Sequence, residues 1–268
     1  MTATTLQRSA DGPRLAALNE YLSSGIHQVE GWCIPQLWQM IWPLRALTGD
    51  GPVAEIGVFE GKFLIGLAKT FGVDAARKAT AFDVFDMQQF NLDKAGVGKK
   101  AVLAANMRRF GFDDDTFDCI EVDSLSLRQA EAERFVADRG RVVFFSVDGC
   151  HEVVHTVRDT EFAMQVTRHD GLIAVDDYTN PNWPGVQEGI ARMYLLRDFA
   201  FVPLAVGCNK LILCSYSYHA TYLAAIRSYI AAHHPGTKMK KVRRFGFDTL
   251  TVQPDLRDWT DLAAPAGT

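Results

Sequence analysis

FAFVPLAVGCNKLILCSY, residues 199–216, holds two apolar runs separated only by Gly207, Cys208 and Asn209. A parallel pair needs a crossover of a dozen or more residues, so a connection this short forces the two runs into an antiparallel hairpin. The chain before them has another texture. VAEIGV (53–58), ATAFDVF (79–85), FDCIEV (117–122), RVVFFSVDG (141–149) and GLIAVDDY (171–178) are near-continuous apolar runs, each followed by a helical pattern. Those helices read as 62–72, 99–111, 126–140, about 151–168 and 186–198. Apolar strands alternating with helices predict a parallel sheet covered on both faces, and right-handed crossovers make it doubly wound. The expected fold class is α/β, a mostly parallel seven-stranded Rossmann-like sheet that ends in an antiparallel hairpin.

Outside this region the first fifty residues read as helices. IPQLWQMIWPLRALTG places Leu37, Trp38, Ile41, Trp42, Leu44 and Leu47 at helical spacing, with Gly49 as a stop. Trp38 and Trp42 either pack inward, which such spacing favours, or form a lid over a ligand. Downstream, HATYLAAIRSYIAAHH (219–234) reads as a helix and KMKKVRR (238–244) as a solvated basic run. FDTLTVQPDLRDWTDLAAPAGT (247–268) shows little periodicity and is expected to wrap a neighbouring subunit of a homodimer or higher homo-oligomer.

With 268 residues and 48% hydrophobic content the chain can bury a sizeable core. A net charge of -4 gives no global attraction to nucleic acid or to an anionic membrane, so neither is expected as a partner. The five cysteines are scattered and never form a CxxC pair, which fits reduced thiols. MTATTLQRSADGPR lacks the apolar core of a signal peptide, and no apolar run approaches membrane-spanning length. The expected setting is the cytoplasm.

Acidic residues gather at the strand ends. After the first run comes Glu55-Ile56-Gly57-Val58-Phe59-Glu60-Gly61, two glycines four apart at a strand-to-helix turn. Gly57 lets the backbone turn without a Cβ, and Gly61 allows close approach where the helix starts. The GxGxxG spacing of a dinucleotide cradle is absent, which weighs against a nucleotide-linked oxidoreductase. Asp83 ends the second run, where a carboxylate can accept both ribose hydroxyls of a nucleoside. Asp148 closes the fourth run and Asp176 and Asp177 close the fifth. Carboxylates brought this close require a compensating cation, and all-oxygen ligands suit magnesium or manganese.

VDGCHEVVH (147–155) also contains HExxH, the zinc pattern in which one helix offers His151 and His155. That pattern needs both imidazoles on one face inside a helix. His151 instead follows a strand and a glycine, so the zinc hydrolase reading fails and His155 is structural.

The E-x-G-x-x-x-G turn resembles the S-adenosylmethionine turn of class I methyltransferases. Asp148, with an aspartate doublet 28 residues on, resembles the metal site of catechol-type O-methyltransferases. The segment 147–178 looks still more like small-molecule enzymes of the macrocin O-methyltransferase kind, and the resemblance covers roughly 53–215. It implies a methyltransferase domain over 51–215, an N-terminal helical lid or dimer arm over 1–50, and a C-terminal helix and tail over 216–268 within the same single domain. Glu55, Gly57, Val58, Gly61, Asp83, Asp123, Ser124 and Asp148 would bind S-adenosylmethionine, with Asp123 and Ser124 at the adenine. Asp148, Asp176 and Asp177 would hold the divalent metal. His151 stands where catechol-type enzymes carry a general-base lysine, and it would take the acceptor's proton. Related antibiotic-tailoring enzymes place a carboxylate base where this chain has Cys150, so helix-start hydrogen bonding stays open for His151. Tyr178 and Trp183 would wall the acceptor pocket. The implied activity is metal-dependent O-methylation of a small-molecule hydroxyl, a phenol or a sugar of secondary metabolism. A non-catalytic cofactor-binding homologue is the remaining alternative.

Overall fold

The computed structural model describes residues 3–257 and 259–265; Asp258 and residues 266–268 of the expected tail lie outside the described residues. Two helices, α1 (Ala3–Ser23) and α2 (Trp38–Thr48), lead into an alternation of strand and helix. It runs β1 (Val53–Ile56), α3 (Lys62–Phe71), β2 (Ala79–Asp83), α4 (Lys100–Arg109), β3 (Phe117–Glu121), α5 (Gln129–Arg139), β4 (Val142–Val147), α6 (Val153–Val166), β5 (Thr167–Val175) and α7 (Pro184–Leu196). The hairpin β6 (Phe201–Gly207) and β7 (Lys210–Ser215), helix α8 (His219–His233), and a second hairpin, β8 (Lys238–Arg244) and β9 (Phe247–Gln253), complete the chain.

All the strands among the described residues join one sheet in the order β3-β2-β1-β4-β5-β7-β6-β9-β8. The first five are parallel, and β7 pairs antiparallel with both β5 and β6. The sheet has nine strands where the sequence reading has seven. β8 and β9 form the difference: the basic run and the start of the aperiodic tail pair with each other, and β9 pairs with β6. The remaining tail folds onto its own chain, where the backbone of Leu262 bonds the Asn19 amide in both directions and Ala263 accepts from the Trp42 indole.

Successive residues on the central strands feed opposite cores, as period-2 geometry requires. Val53, Phe144, Leu172 and Ile212 belong to the core under α1, α2, α3 and α8. Ala54, Phe145, Ile173 and Leu213 belong to the core under α5, α6 and α7. Trp38 and Trp42 are fully buried in the first core and do not form a lid. The Trp38 indole donates to Thr70 at 2.8 Å, and its ring fills the space beside Gly66, where a Cβ would lie 2.4 Å from it. Among the described residues no helix is long and apolar enough to cross a membrane.

Candidate active site

The parallel strands all end on one rim, and two chambers open there. The first is lined by Gly57, Asp83, Asp123, Ser124, Asp148 and His155 among others. The second, about 740 Å³, is lined by Trp32, Glu55, Phe63, Asp148, His151, Asp176, Asp177, Trp183 and Lys210 among others. Gly57, Phe59, Ala95, Gly96 and Asp148 line both, so they form the partition.

The glycine turn builds that partition. Gly57 has φ +77°, and a Cβ on it would fall 1.8 Å from the Asp148 carbonyl oxygen. Only glycine allows the ends of β1 and β4 to touch here. Gly61 opens α3 from the left-handed region, and Val58 is buried in the core. The Asp83 carboxylate accepts from the backbone of Phe59 at 2.9 Å and of Phe85 at 3.0 Å, and burial raises its pKa against those bonds. Asp123 caps the turn that follows β3, accepting from Leu125 at 3.0 Å, and Ser124 is buried next to it. Glu55 departs from the expected grouping: it is buried and lines the second chamber only, its carboxyl pushed up to about 8 by burial, with Lys210 opposing.

In the second chamber the acids already have internal partners. The β5–β7 register pairs Val175 with Leu211, so the next step sets Asp176 opposite Lys210. The Lys210 ammonium forms an ion pair with Asp176, lies 3.8 Å from Asp148, and sits 4.5 Å from the centre of the Phe63 ring. Its side chain is 2% exposed. Burial works against this ammonium, but Asp176 and Asp148 outweigh it and raise its pKa. Burial and Asp176 push the Asp148 carboxyl well above its ordinary value.

His151 is held from both sides. Its Nδ1 meets Asp93 at 2.6 Å, its Nε2 meets Asp177 at 2.8 Å, and its ring stacks on Trp183 at 4.3 Å. Burial opposes a charge here, yet the bonds to Asp177 and Asp93 raise the imidazole pKa to about 9. Asp177 has φ +54°, and its other oxygen accepts from Asn180 at 2.8 Å and Asn209 at 2.5 Å. This left-handed conformation points Asp177 away from Asp176 and toward the histidine.

A divalent ion can be tested against these donors. Hard carboxylate oxygens suit magnesium, and ligand atoms of Asp148, His151 and Asp177 lie within 4.8 Å of one another. As arranged, however, Lys210 occupies the space between Asp148 and Asp176, and a doubly hydrogen-bonded His151 has no lone pair to give. The three aspartates therefore do not fit an ion as they stand. The HExxH string does not assemble either: α6 begins at Val153, beyond His151, and His155 lines the other chamber.

Trp183 reaches the second chamber, but Tyr178 does not. Its ring is 4% exposed within the core under α6 and α7, with the Arg244 guanidinium 5.8 Å from the ring centre. The doublet's left-handed turn sends the following residue to the opposite face. Sequence reasoning missed Asp93, in a loop without periodicity, and Lys210, whose signal was a lysine heading an otherwise apolar strand.

Residues 54–178 match the model of a family described as a methyltransferase domain. No curated protein is similar to the chain in sequence. Among solved structures, the O-methyltransferase NovP superposes with TM-score 0.56 at 13% identity, covering 75% of this chain and 97% of that one. MycE, a methyltransferase from the mycinamycin biosynthetic pathway solved with Mg, SAH and mycinamycin VI, gives TM-score 0.50 at 17% identity. That match covers 76% of this chain but only 54% of MycE. These two share its fold, and residues 54–178 of the chain are similar to a methyltransferase domain.

Proposed function

We propose that the chain transfers the methyl group of S-adenosylmethionine to a hydroxyl of a small molecule, a phenol or a sugar. The observation that carries this reading is His151, oriented by Asp93 and Asp177 in a chamber that shares a wall with the cofactor chamber. Asp83, Asp123 and Ser124 bind the adenosine part in the first chamber, and the acceptor lies in the second, between Trp183 and Trp32. Transfer in line across the Gly57–Asp148 partition places the acceptor oxygen against the methyl group. The hydroxyl proton passes to Nε2 once His151 is neutral and that nitrogen is released from Asp177, while Asp93 holds the ring through Nδ1.

Calorimetry with S-adenosylhomocysteine tests the cofactor half. The expected result is saturable binding that Asp83→Ala weakens roughly tenfold or more, since a buried carboxylate bonded to hydroxyls is lost. Absence of binding to the intact protein would sink the reading.

A second reading has magnesium or manganese bound by Asp148, His151 and Asp177, and the convergence of their ligand atoms favours it. It requires His151 to be neutral and released from Asp177.

A further inference from the structure

We propose that Lys210 is the resident cation of the acceptor chamber, doing permanently for Asp148 and Asp176 what a divalent ion would do. Its ammonium pairs with Asp176 and lies 3.8 Å from Asp148. It also rests 4.5 Å from the Phe63 ring centre, a cation–π seat that strengthens when water is excluded. The side chain is 2% exposed, so this charge is fixed by the fold. The sheet register enforces the pairing, because β7 runs antiparallel to β5 and sets residue 210 opposite residue 176. A buried lysine is tolerated only where carboxylates compensate it, and here two do.

An ammonium in this position repels any second cation seeking the same oxygens. Methyl transfer then needs no added metal. Lys210 lies in the chamber where the acceptor oxygen loses its proton, and it stabilises the developing negative charge. The counter-ion role stands on the geometry alone; the catalytic role rests on the acceptor-site reading.

Manganese(II) binding, followed by electron paramagnetic resonance and by melting temperature, tests the counter-ion role. The intact protein, with S-adenosylhomocysteine present, is expected to bind no manganese at micromolar concentrations and to melt at the same temperature with millimolar metal. Lys210→Met keeps the chain length but leaves the two carboxylates uncompensated. It should bind manganese about tenfold more tightly or better, and the metal should raise its melting temperature. A purely structural lysine would not produce a metal-dependent gain. If the variant folds only with manganese, the same conclusion follows. Tight manganese binding by the intact protein, whether or not Asp176→Asn loses it, would overturn the proposal, as would a folded Lys210→Met that gains no affinity. Should Lys210→Met not fold at all, the intact protein and Asp176→Asn decide: no binding in either supports the proposal. Cofactor binding is measured separately, so a failure here leaves the methyltransferase reading intact.

Discussion

His151 is a cation in the resting protein at neutral pH, because carboxylates hold both of its ring nitrogens and raise its pKa to about 9. The ordinary value is near 6.5. The stabilisation from this charge is therefore complete below about 6.5 and disappears as pH rises through about 9. The proposed role as a base has the opposite dependence, since only the neutral ring accepts a proton. The pH profile of kcat should rise toward a plateau above about 9, and Asp177→Asn should move the rising limb toward lower pH. A flat profile from neutrality upward would remove His151 as the base. That Gly57, Asp83 and Asp148 stand at strand ends on one rim was legible in the sequence, because each directly follows or closes an apolar run. Lys210 was not read, although extending the hairpin register by one residue leads to it. Asp93 lies on a loop whose path depends on tertiary contacts that no local pattern encodes.

Among the elements, the central strands and their helices were readable because burial on both faces leaves unbroken apolar runs. β8 was not. Its half-buried apolar residues, Met239 and Val242, fall three apart rather than two, and five of its seven residues are basic. It is a strand because β9 offers a full ladder from Lys238–Gln253 to Arg244–Phe247. Pairing of this kind overrides local propensity. β9 in turn anchors the hairpin through Leu250 and Val252, both buried in the core under α8. Leu250→Ala should cost about 2–5 kcal/mol in urea unfolding. Lys240→Ala on the exposed face should stay within about 0.5 kcal/mol. Equal effects would mean that the hairpin is not part of the core.

The whole molecule is organised around a single sheet whose two edges differ. At one edge β3 carries Asp118 and Glu121, and each has a basic partner from its own chain: Lys78 and Arg139 for the first, Lys100 for the second. At the other, among the described residues, β8 has no strand on its outer side and carries five basic residues, of which Lys241 pairs with Asp248. An uncovered edge invites strand addition from another copy, and like charges oppose it. The fold thus regulates its own colloidal behaviour by electrostatic repulsion, which dissolved ions weaken over a screening length of about 10 Å at 0.1 M salt. Light scattering should show the protein staying dispersed at low ionic strength, with Lys240→Thr/Lys241→Thr variants associating first as salt is added. Extending the sheet by one hairpin therefore ties association of this protein to the salt in its buffer.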